Sequence, residues 1–110
     1  MREIAYQPGA RVPIRDEYLP KMRDGRKCTT IRRGKIIAPI GGTLVFKSGS
    51  TELPFRVVSI TYKSMADLSD VDAQRDGFDS KDILERELAR YYNELSSSDL
   101  MTILEFELTL

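Results

Sequence analysis

Residues 25–32 read Gly25-Arg26-Lys27-Cys28-Thr29-Thr30-Ile31-Arg32. The glycine stands where a helix commonly ends in a left-handed residue. The Thr-Thr-Ile run after it is β-branched and predicts a strand over residues 28–33. Side chains two apart on a strand share a face, so Cys28, Thr30 and Arg32 point one way and Thr29, Ile31 and Arg33 the other. Ile31 marks the core side. Thr30 and Arg32 are then expected in a groove or on the surface, with Lys27 in the turn able to reach either face.

Outward from this segment, residues 17–24 predict a helix with Pro20 confined to its first turn, where a missing N–H costs nothing. Residues 3–6 predict a short strand ended by Pro8-Gly9. On the C-terminal side, residues 43–47 and 53–63 predict strands joined by a hairpin at Ser48-Gly49-Ser50. Pro54 belongs at a strand start or edge. Ser69, with Asp70 and Asp72 behind it, opens a short helix that Gly77 ends. A longer helix is expected from Ser80 to about Glu94, with Leu84, Leu88, Tyr91 and Leu95 at helical spacing on its core side. Leu104, Phe106, Leu108 and Leu110 alternate with Glu105, Glu107 and Thr109, the pattern of a half-buried strand. The predicted order is strand, helix, three strands, two helices, strand. It favours an α+β fold with an antiparallel or mixed sheet over repeated βαβ units.

Composition narrows the chemistry. The 110 residues suit one domain, and a 41% hydrophobic, 31% charged chain suits a globular one. There is no histidine and a single cysteine, Cys28. Histidine bases, histidine-ligated metals, cysteine zinc clusters and intrachain disulfides are therefore excluded. No metal or other cofactor is expected. No apolar run approaches the roughly 20 residues that span a bilayer, and no signal-type stretch follows Met1-Arg2-Glu3. A cytoplasmic location and a monomer are the default expectations.

The formal net charge is zero, yet it is unevenly spread. Residues 11–35 hold nine basic and three acidic side chains, a net of +6, whereas residues 65–110 net −8. A basic segment of this kind suits an anionic ligand. The alternative is that the two segments lie side by side and neutralise each other. Arg23, Arg26, Lys27 and Arg32 flank the two threonine hydroxyls, and Arg32 offers a planar fork for phosphate or carbonyl oxygen. A lysine beside a hydroxyl can also serve as a base when burial lowers its pKa. A basic turn before an edge strand is the plain structural alternative.

The eight residues from Gly25 to Arg32 resemble the Gly-x-Lys-x-x-Thr/Glu-x-Arg signature of the ASCH family, whose fold is related to the PUA domain. Looser similarity extends over most of the chain. The helix before Gly25, the turn Gly41-Gly42-Thr43-Leu44, the final helix with Tyr91-Tyr92 and the closing strand all have counterparts. Asp72-Ala73-Gln74-Arg75-Asp76-Gly77-Phe78 resembles a segment commonly written Asp-Ala-x-x-Glu-Gly-Phe. The resemblance implies one PUA-like ASCH domain over residues 1–110: a mixed β-barrel of about five strands with two or three flanking helices. It also implies a cleft lined by the signature.

ASCH proteins are associated with RNA binding, with coactivator-type adaptors and, in some small members, with catalysis. That association and the +6 segment together point to RNA or a nucleotide-like partner at Arg23, Arg26, Lys27, Thr30, Arg32 and Tyr91. Of the adjacent Tyr91 and Tyr92, one suits stacking on a base and the other the core. One bacterial branch resembles an amidohydrolase of N4-acetylcytidine that uses a Lys, a Thr and a Glu. Those roles map onto Lys27, Thr30 and Asp76. The third position departs from the pattern, because Asp is one methylene shorter than Glu. The open alternatives are a binding module, a small amidohydrolase and a protein-interaction adaptor with the acidic half as its contact face. Asp76 also reads as the polar end of a capped helix, and Phe78 as either a pocket wall or core.

Overall fold

A computed structural model describes residues 3–109. Seven strands and three helices run in the order β1 (Glu3–Ala5), β2 (Arg11–Pro13), α1 (Leu19–Arg23), β3 (Thr29–Arg33), β4 (Lys35–Ile37), β5 (Thr43–Ser48), β6 (Thr51–Ser64), α2 (Asp70–Arg75), α3 (Lys81–Tyr91) and β7 (Leu100–Leu108). Short 3₁₀ turns precede α1 and α2 at Asp16–Tyr18 and Met65–Asp67. The fold is α+β, built on a five-stranded mixed sheet in the order β2-β5-β6-β7-β3. β2 joins β5 in parallel, and the other three pairings are antiparallel. A separate parallel pair joins β1 to β4.

The sheet does not close into the expected barrel. Its two edges, β2 and β3, are not paired as strands. The physical reason lies in the chain after Pro13, which turns away through the 3₁₀ turn into α1 and so carries no further strand toward β3. Arg32 crosses the gap instead, its Nη2 donating to the Pro13 carbonyl at 2.6 Å.

β2 and β4, three residues each, were absent from the sequence reading because so short a strand shows no period. The first helix is split between a 3₁₀ turn and five α-residues, with Pro20 in the first turn. Gly25 follows at φ +84°, a conformation costly for any residue with a Cβ. α3 ends at Tyr91, three residues earlier than expected, where Tyr92 is already extended. β7 begins four residues before the alternating stretch, and Leu110 lies outside the described residues.

Two apolar cores flank the sheet. Val12, Ile36, Leu44, Phe46, Phe55, Val57, Leu104 and Phe106 form one, with the Phe46 and Phe55 rings stacked at 3.9 Å and Phe106 edge-on to both. Ile31, Met101 and Ile103 pack with Leu84, Leu88 and Ala73 in the other, beneath α2 and α3. β7 lies inside the sheet and is buried on both faces at Met101–Leu104. Along Met101–Leu104 alternate residues enter the two cores, and beyond Leu104 the expected half-buried pattern holds, with Phe106 buried and Glu107 exposed.

Candidate functional site

The signature segment crosses the sheet edge at the floor of a cleft of about 260 Å³. One wall is β3 with Lys27, Thr30 and Arg32. The opposite wall is α3 with Glu87 and Tyr91. Phe78 and Tyr18 line the cleft between them, and Arg15 lies exposed beside it. The cleft therefore occupies the seam where the sheet fails to close.

Its floor is an ion pair. Lys27 Nζ lies 3.0 Å from Asp76 Oδ1, with side chains only 3% and 6% exposed. Thr29 Oγ1 donates to the same carboxylate oxygen at 2.9 Å, and Lys27 also donates to the Asp76 main-chain carbonyl at 3.1 Å. Asp76 terminates α2, whose N-terminus is fixed by a capping box between Ser69 and Asp72. Gly77 then turns the chain at φ +95°, and a Cβ there would lie 3.3 Å from Lys21 Cδ and 3.4 Å from Lys27 Cβ. Lys21 donates to the Gly77 carbonyl at 2.7 Å. These contacts seat the helix end on the signature strand.

Burial raises the Asp76 carboxyl to about 6, against the pull of the Lys27 ammonium and the Thr29 hydroxyl. A carboxyl held above its unfolded value binds its proton more readily when folded. The stability it contributes is complete below about pH 3.8 and is lost as pH rises through about 6. The unfolding free energy of wild type minus that of Asp76→Asn is expected to fall by up to about 1.4 kcal/mol per pH unit across that window. Urea unfolding of both proteins from pH 4 to 7 measures it. A difference that stays flat or grows with pH would contradict the assignment.

The hydroxyls divide their work by strand alternation. Thr29 points toward α2 and satisfies Asp76, a role the sequence reading did not give it. Thr30 lines the cleft and accepts from Arg32 Nε at 3.2 Å. Lys27 and Asp76 are thus brought into contact, with Thr30 on the same cleft but bonded to Arg32. Arg23 and Arg26 do not line the cleft: both are exposed, and Arg26 pairs with Asp24 at 2.7 Å.

The +6 segment is not one basic surface. Lys27, Arg26 and Arg33 pair with Asp76, Asp24 and Asp99. Among the described residues, Arg15 and Arg32 are the cleft-lining basic side chains without an ion pair. Tyr91 faces the cleft with the Arg15 guanidinium 4.5 Å from its ring centre, and Tyr92 packs on the helix-side core while also lining the cleft.

Tyr18, Arg15 and Glu87 were missed in the sequence reading. Glu87 stands four residues before Tyr91 on α3, so the shared helical face was available as a signal. Nothing local marks Tyr18 or Arg15, which reach the cleft through the turn after β2. Tyr18 donates to Glu87 Oε2 at 2.7 Å and lies 2.8 Å from the Tyr91 hydroxyl. Burial and both partners raise the Tyr18 hydroxyl above its ordinary value, so it stays protonated.

The mixed sheet with its three helices is consistent with the ASCH-type, PUA-like fold, with the sheet left open. Among solved structures, an ASCH domain from Lactobacillus crispatus superposes with a TM-score of 0.65 at 15% identity, covering 96% of this chain and 79% of that one. A Zymomonas mobilis ASCH protein, solved as a serine-to-alanine mutant, gives 0.66 at 13% identity over 92% and 70% of the two chains. A protein of Enterococcus faecalis assigned to DUF984 gives 0.69 at 19% identity over 93% and 76%. No family model matches the chain, and no curated protein matches it in sequence.

Proposed function

We propose that this protein binds a nucleoside, free or as an unstacked residue of RNA, with the base in the cleft between β3 and α3. The observation that carries the reading is the cleft itself: about 260 Å³, bounded by the Tyr18, Phe78 and Tyr91 rings, with Lys27, Thr30, Arg32 and Asp76 on one side and Glu87 on the other. That volume lies below the common range for drug-sized ligands and suits one flat ring system. Aromatic side chains stack on a base whatever its sequence. Arg32 has donors left over after its bonds to Thr30 and Pro13 and supplies a fork for a base carbonyl or phosphate. The RNA association implied by the ASCH resemblance points the same way.

Calorimetric titration with cytidine, adenosine and a short single-stranded RNA at low salt tests it. Arg32→Ala is expected to weaken binding about tenfold, the worth of a hydrogen bond to a charged group. RNA affinity should fall more steeply with salt than nucleoside affinity, since only the former involves several phosphates. Equal affinities for wild type and Arg32→Ala would place the ligand elsewhere.

A second reading, hydrolysis of an N-acyl group on the nucleoside, is favoured by one observation. Lys27 and Asp76 are in contact at the cleft floor, with Asp76 raised to about 6, near the range of a working acid or base. Acetate release from N4-acetylcytidine by wild type and by Asp76→Glu decides it: no release by either leaves a binding protein.

A further inference from the structure

The hydrogen bonds along α3 have a direction that the nucleoside reading does not use. Glu87 Oε2 accepts from Tyr18, and its other oxygen accepts from Arg90. These bonds and the nearby Arg90 and Arg15 charges hold the Glu87 carboxyl below its usual value despite partial burial. An ionised carboxylate has no proton to give. The single Tyr18 proton is therefore committed to Glu87. The 2.8 Å contact between the Tyr18 and Tyr91 hydroxyls then requires Tyr91 to be the donor. Glu17, 3.4 Å from the Tyr91 hydroxyl, is too far to compete for that proton. The proton order is Tyr91 to Tyr18 to Glu87, which leaves Tyr91 Oη with acceptor capacity alone. Arg15 over the Tyr91 ring and Arg90 on the outer side hold this wall in place.

We propose that Glu87 and Tyr91 form an acceptor-only wall, facing the donor-rich β3 wall, and that this wall selects ligands presenting a hydrogen-bond donor to α3. The proposal rests on the nucleoside reading and names the polarity of the ligand: acceptors toward Arg32 and Lys27, a donor toward Tyr91 and Glu87. Two parts of a ribonucleoside supply such a donor, a sugar 2′-hydroxyl and an exocyclic amino group. A carbonyl in that place would face lone pairs and leave both sides unpaired, the configuration that rejects most strongly.

Cytidine, 2′-deoxycytidine and uridine separate the two sources, because 2′-deoxycytidine lacks the sugar donor and uridine presents a carbonyl in place of the amino donor, with N3 changed from acceptor to donor. Their dissociation constants are measured for wild type, Tyr91→Phe and Glu87→Gln, each checked for folding by circular dichroism. For wild type, the analogue lacking the relevant donor is expected to bind about tenfold more weakly than cytidine. Tyr91→Phe keeps the ring and removes the acceptor, so the gap should close to about twofold. Glu87→Gln places an amide donor where only acceptors stood and should narrow it too, which a merely structural Glu87 would not do. Equal affinities of wild type for all three ligands, or a gap that survives in both variants, overturns the proposal. Failure of wild type to bind any of them, or RNA, overturns the nucleoside reading instead.

Discussion

Replacing Lys27 by Met is expected to destabilise the protein by about 3–5 kcal/mol at neutral pH, the loss typical when one member of a buried ion pair is removed. The Lys27 and Asp76 side chains are both almost fully buried. Taking away the ammonium leaves a carboxylate with one hydroxyl for company. Asp76 then escapes by taking up a proton, so the loss should grow as pH rises above about 6, where wild type ionises and the variant must hold its proton. The total stability of a protein this size is about 5–15 kcal/mol, so the variant keeps only a fraction of it.

The informative comparison is the triple variant Lys27→Met, Thr29→Val, Asp76→Leu. It removes all three polar ends together, and apolar replacement of a buried ion pair is often neutral. Chemical unfolding should show most of the loss recovered, while nucleoside binding stays weak because the cleft floor has lost its polar groups. If the triple variant binds as wild type does, the pair is a scaffold contact and the ligand lies elsewhere. If Lys27→Met costs under about 1 kcal/mol, the pair is better hydrated than its burial implies.

Phe55→Ala is expected to cost about 3–5 kcal/mol through cavity formation alone. Phe55 is fully buried, stacked on Phe46 and edge-on to Phe106, so its removal opens a space bounded by two rigid rings. The site lies on the other side of the problem. Phe55 does not itself line the cleft, and among the described residues only two that do, Ile14 and Tyr18, rest on the edge of the core it fills. Nucleoside affinity measured well below the unfolding midpoint should therefore match wild type. The two variants separate stability from binding: one loses stability with the cleft intact, and the Lys27 triple variant keeps stability with the cleft altered. Unfolding midpoints together with titrations check both, and a weakened nucleoside affinity in Phe55→Ala would show that the two cores are coupled.

By itself the sequence determined the α+β class, the helix from Ser80, the strand ending near Leu108 and the segment that forms the cleft floor. Those features are local. Helical spacing of Leu84 and Leu88, alternation through Leu104 and Phe106, and Gly25 before a β-branched run each follow from a period or a preference within a few residues. The same local logic assigned Thr30 and Arg32 to one face of β3. Lys27 and Asp76 were named together by resemblance, since 49 positions separate them and no period links them.

Tertiary structure alone decided the rest. That Asp76 accepts from Thr29 depends on α2 ending against one face of β3. The open seam between β2 and β3 depends on where the three-residue β2 pairs, and its partner β5 lies more than thirty positions away. The acceptor wall required Tyr18 to meet α3 across 69 positions. The +6 segment left open an anionic-ligand site or neutralisation by the acidic half, and folding paired Arg11, Arg26, Lys27 and Arg33 with carboxylates. Charge along the chain adds up without regard to distance, whereas an ion pair forms only between side chains that the fold brings within about 4 Å.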